Sequence, residues 1–113
     1  MNNEYDLIIT IINKGYADYV IDAAREAGAS GGTIIYARGT NKGLDEKFLG
    51  VTIQPEKEMI LTLVKHSEKN KIMKEICEKS NLDENGHGLC FSIPASRVVG
   101  ISEKINAKDK NNK

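Results

Sequence analysis

Tyr5–Asn13, YDLIITIIN, decides the fold, because its apolar residues occupy both parities of a strand. Leu7, Ile9 and Ile11 point to one face, and Ile8 and Ile12 point to the other. A strand of this kind must be covered on both sides. Met59-Ile60-Leu61-Thr62-Leu63-Val64 repeats the pattern further along the chain. Each of the two strands is followed by an amphipathic helix, a turn and another strand. The first unit runs from Tyr5 to about Ala37 and the second from about Gly50 to Val99. Two β-α-β units side by side predict an α+β, ferredoxin-like βαββαβ sandwich, an antiparallel sheet with two helices on one face.

The helices follow from periodicity. Residues 16–27 place Ala17, Val20, Ile21, Ala24 and Ala27 on one stripe, with Asp18 in the first turn and Gly28 as the stop. A second helix over 68–80 buries Ile72, Met73, Ile76 and Cys77, with Ser67 as its N-cap. The remaining strands are Thr33–Ala37 and Cys90–Pro94, and Arg97–Ile101 reads as a short closing strand. Two helices cover only one face of four strands. The other face therefore calls for a partner, most simply a second copy of the chain, unless it stays half-exposed.

At 113 residues, with 40% hydrophobic and 28% charged side chains, the chain is sized for one globular domain over residues 1–106. The polar stretch 107–113 is expected to be a disordered tail. Sixteen basic and 16 acidic residues cancel, so no global field favours nucleic acid or an anionic membrane. No apolar run is long enough to span a bilayer, and Met1-Asn2-Asn3-Glu4 does not read as a secretory signal. Cys77 and Cys90 lack metal or redox spacing and read as reduced packing residues of a cytoplasmic protein.

Two loops exceed what packing requires. Arg38–Gly50 is much longer than a hairpin needs, and its Gly, Asn and Lys could wrap an anion or form a surface excursion. Gly86-His87-Gly88 lets the backbone approach a phosphate, or makes a plain turn. His87 reads as a solvent-facing turn residue. His66, without an acidic or histidine partner at metal spacing, reads as surface.

Ile8–Ile12, the helix from Asp18 to Ala27, Gly31-Gly32-Thr33, Gln54–Glu58, Gly86-His87-Gly88 and Phe91–Pro94, in that order, resemble P-II nitrogen-regulatory proteins over residues 5–102. The resemblance implies a cytoplasmic homotrimer that requires no cofactor and binds ATP, ADP or AMP between subunits, often with 2-oxoglutarate. It implies a regulator of an unidentified target protein, not an enzyme. Ligand contacts fall at Ile11, Gly39, Lys42, Gly86, His87 and Gly88. The partner-binding loop falls at Arg38, Thr40, Asn41, Lys42, Gly43, Lys47 and Phe48. No tyrosine lies in that loop, which argues against its nucleotidylation.

The chain departs from the family pattern in its cations. The lysine after the second glycine is Leu89, the two arginines near the end of the last strand fall at Gly100 and Ser102, and a lysine after the proline is Glu56. Each absent cation removes charge-assisted hydrogen bonds worth about 1.5–3 kcal/mol. A less charged adenine nucleotide, or another small anion, fits better than a triphosphate. Two other readings use the same fold. One is an acylphosphatase-like hydrolase, for which Asn13, Arg38 and Asn41 are the available residues. The other is a metal-binding or structural trimer similar to the copper-tolerance proteins, for which two separated histidines and two separated cysteines give little support.

Overall fold

The computed structural model describes residues 4–40, 46–48, 51–53, 55–84 and 87–101. The elements run β1 (Tyr5–Asn13), α1 (Ala17–Glu26), β2 (Thr33–Arg38), β3 (Glu46–Phe48), β4 (Val51–Ile53), β5 (Glu56–Lys65), a 3-10 turn (His66–Glu68), α2 (Lys69–Lys79) and β6 (Gly88–Ala95). Four strands form one sheet in the order β2-β5-β1-β6, each pair antiparallel. With two helices on one face, this is the ferredoxin-like sandwich.

The doubly apolar strands sit at its centre. On β1, Asp6, Ile8, Thr10 and Ile12 are buried, and on β5 so are Glu58, Ile60, Thr62 and Val64. The helices supply Val20, Ala23 and Ala24 from α1 and Ile72 and Ile76 from α2 to the same core. Residues of the opposite parity face away. The register aligns them in apolar rows: Ile93–Leu7–Leu63, Phe91–Ile9–Leu61 and Leu89–Ile11–Met59–Ile35. The outer members stay open, with Leu89 52%, Phe91 41%, Ile93 45% and Ile35 42% exposed.

α1 is capped from a distance. Its N-cap residue Tyr16 makes no side-chain cap bond. The buried Glu58 on β5 instead accepts N–H bonds from Gly15 (3.1 Å) and Ala17 (3.0 Å). A carboxylate there satisfies donors that the first turn leaves unpaired and complements the helix dipole. Gly28 ends the helix at φ +118°, where the Ala29 N–H reaches back to the Ala24 carbonyl at 2.9 Å.

α2 begins later than its sequence suggests, and Ser67 does not cap it. The His66 N–H donates to the Glu4 carbonyl at 2.8 Å, and His66 Nδ1 lies 2.6 Å from the buried carboxylate of Asp6. These bonds accompany a 3-10 turn over His66–Glu68, which places Ser67 inside the turn and the helix start at Lys69. His66 is therefore surface-exposed in its ring but has an acidic partner after all, 60 residues away.

Arg97–Ile101 forms no strand. Tyr5, the first residue of β1, already pairs with Ala95, so β1 extends no further for a continuing strand to follow. Val99 is exposed and Gly100 turns the chain at φ +98°. The long loop, by contrast, contains regular structure. β3 and β4 pair as their own two-stranded ribbon, with Glu46 opposite Ile53 and Phe48 opposite Val51. The expected tail from 107 lies outside the described residues.

Gly88 allows β6 to seat against β1. A Cβ at this position would lie 2.5 Å from the Ile11 carbonyl oxygen and 3.1 Å from Leu82 Cδ2. Backbone cannot yield as a side-chain tip does, so Gly88→Ala should cost about 2–3 kcal/mol in equilibrium unfolding. Glu58→Ala removes both bonds at the start of α1 and should destabilise by about 2–3 kcal/mol in the same assay. Unchanged unfolding midpoints would show that neither contact matters to the fold.

Candidate functional site

A cleft of about 450 Å³ lies where the chain leaves β2 and returns to β5. Its apolar side is Ile11, Met59 and Leu89, one row of the uncovered sheet face. Arg38, Gly39 and Thr40 line it at the start of the long loop, and Pro55, Lys57 and Gly88 complete it together with Ala37. The Gly39 N–H donates to the Pro55 carbonyl at 2.9 Å, closing the base of the long loop.

Three residues expected at a ligand, Ile11, Gly39 and Gly88, are thus brought together. Arg38 and Thr40, expected in the partner loop, line the same space. Lys42, Gly86, Asn41 and Gly43 lie outside the described residues, and Lys47 falls within β3 beside Phe48. His87 is turned to another neighbour: its ring meets Tyr16 edge-on, with centroids 4.8 Å apart.

Sequence reasoning missed Lys57. Its Nζ donates to Asn13 Oδ1 at 2.6 Å, and its stem runs beside Gly39, where a Cβ would lie 2.9 Å from Lys57 Cε. The smallness of residue 39 thus makes room for a lysine stem. The signal was present in the alternation of EKEMILTLVK, which puts Lys57 on the same parity as Met59, Leu61 and Leu63.

The cleft has a positive bias. Glu56 is held by Lys14 at 2.8 Å outside it, a hydrogen-bonded pair that raises the Lys14 ammonium and lowers the Glu56 carboxyl from their ordinary values. Glu58 turns its carboxylate to α1 on the other face of the sheet. Lys57 and Arg38 both line the cleft, Lys57 on the Met59 face and Arg38 at the end of β2, and neither has an acidic ion-pair partner among the described residues.

The other chemistries find less support. Burial pushes both thiols up, aided at Cys77 by the Asp83 carboxylate 3.4 Å away and partly offset at Cys90 by the Thr10 hydroxyl. A nucleophilic cysteine needs the opposite shift. Asn13, a candidate for hydrolysis, spends its carbonyl oxygen on Lys57. No cluster of three metal-ligating side chains occurs among the described residues.

A second concavity, of about 510 Å³, lies toward the other end of the sheet, where Arg25 and Gly31–Thr33 meet Leu7, Leu61 and Leu63. Both hollows border the uncovered apolar face.

Comparison with known proteins agrees with this architecture. The crystal structure of Arabidopsis thaliana PII bound to citrate superposes with a TM-score of 0.64. That alignment covers 90% of this chain and 84% of the plant chain at 22% sequence identity, a likeness of fold. A family model for nitrogen regulatory protein P-II matches residues 5–104, nearly the whole sequence. The chain belongs to the P-II family of nitrogen regulatory proteins.

Proposed function

We propose that this chain is the subunit of a homotrimeric signalling protein that binds a small anionic effector, an adenine nucleotide in the first instance, and regulates a partner protein of nitrogen metabolism. The observation that carries the reading is the position of the cleft. It joins an apolar wall belonging to the uncovered sheet face to Lys57 and to the base of the long loop. An effector seated there touches both the surface through which copies would meet and the segment that would report to a partner.

Several features support this reading. The uncovered face is apolar from β6 to β2, as a self-association surface should be. Two hollows at its ends suit a site shared between copies, the cleft of one meeting the concavity of the next. The plant relative was solved with citrate, a small anion. The β3–β4 ribbon, which lies in sequence between Thr40 and Pro55 of the cleft, is the segment for the partner. The function is regulatory and not catalytic, and no cofactor is required. No helix among the described residues is long and apolar enough to cross a membrane, and the proposed setting is the cytoplasm.

Calorimetric titration with ATP, ADP and AMP, each with and without 2-oxoglutarate, tests the proposal. Saturable binding of at least one nucleotide, at one site per subunit, is the expected outcome. Heats indistinguishable from dilution for all three would remove the nucleotide from the account.

A further inference from the structure

Lys57 ends the apolar row that β5 contributes to the uncovered face. The next three residues of its parity on β5 are Met59, Leu61 and Leu63, and the side chain is partly buried. A lysine in such a place ordinarily finds a carboxylate, because an unpaired charge withdrawn from water is costly. Here the two nearest acids in sequence are engaged elsewhere: Glu56 by Lys14, and Glu58 by the backbone of Gly15 and Ala17. The polar partner Lys57 does have is neutral, the Asn13 side-chain oxygen at 2.6 Å. An ammonium has three N–H donors, so this bond orients the group and leaves two donors for something else.

The stem packs on Gly39, since a Cβ there would stand 2.9–3.0 Å from two Lys57 carbons and would push the lysine aside. Arg38 lines the cleft at the end of β2, and Ile11, Met59 and Leu89 supply an apolar surface. The volume, about 450 Å³, falls within the range of small-molecule sites.

From this geometry we infer that Lys57, oriented by Asn13, is the anion-binding cation of the cleft, and that with Arg38 it selects a nucleoside monophosphate over the di- and triphosphate. The inference rests on the nucleotide reading above and deepens it. A phosphate monoester carries about −1.5 to −2 charges near neutral pH, which two cations match. A triphosphate brings more charge than the described residues of this cleft can neutralise. The base lies against the Ile11–Met59–Leu89 row, and the phosphate takes the free donors of Lys57, with Arg38 adding positive charge from the rim of the cleft.

The test is magnesium-free calorimetric titration of the full chain with AMP, ADP and ATP, alongside two variants. Lys57→Met keeps the stem and removes the charge. Asn13→Asp keeps the lysine but supplies a competing carboxylate, and it serves if the first variant folds poorly. AMP should bind the parent protein tightest of the three, and each variant should weaken AMP binding at least tenfold. Lys79→Met, whose ammonium pairs with Glu26 and Glu75 on the helical side, should leave it unchanged. If nucleotides bind but ATP is preferred, or if both variants bind AMP like the parent, the inference fails while the nucleotide reading stands. If no adenine nucleotide binds the parent protein, both fall.

Discussion

A sheet that is apolar on both faces but carries helices on only one is the constraint on which this structure turns. The buried parity of β1 and β5 is satisfied internally by Val20, Ala23, Ala24, Ile72 and Ile76. The other parity continues the same hydrophobic character across four strands and ends in residues between two-fifths and one-half exposed. Scattered exposed apolar side chains are ordinary, but aligned rows of them are not. The rows also explain where the hollows lie, because each hollow takes one wall from this face. A ligand and a second subunit would therefore compete for, or share, the same surface, and in the proposed assembly they share it.

β5 links the parts of the molecule. Adjacent residues on it, Lys57 and Glu58, point to opposite faces and do different work. Lys57 reaches the cleft and packs its stem on Gly39, while Glu58 caps α1 through the backbone of Gly15 and Ala17. A shift of this strand would be felt both at the ligand wall and at the first turn of the helix. The Lys14–Glu56 pair is, by comparison, exposed at both ends and adds little to the fold. Its consequence is electrostatic: it keeps a carboxylate occupied outside the cleft.

What could be read from the chain beforehand was whatever is encoded locally. The parity of YDLIITIIN and the stripe and glycine stop of the first helix led to the sandwich, and Ile11, Gly39 and Gly88 do meet in one cleft. Contacts made by folding were not legible. The Glu58 cap spans more than 40 residues, and the Asp6–His66 bond spans 60. That bond belongs to the turn that displaces Ser67 from the cap position. Gly88 was read as a phosphate glycine, yet its close approach to the Ile11 carbonyl gives it a packing reason as well. The closing strand failed because a strand needs a neighbour, and pairing of Ala95 with Tyr5 uses up β1. Lys57 was visible in the alternation, but its importance depends on the fate of Glu56 and Glu58, which only three dimensions reveal.

The central claim, that the uncovered face is where copies of this chain meet, is tested most directly by the mass of the purified protein in solution. Sedimentation equilibrium or multi-angle light scattering at micromolar concentration should return three times the 12.5 kDa of one chain. Because apolar burial would hold the assembly, that mass should persist at high salt. A monomer at every concentration tested would leave the apolar rows in water and would contradict the account.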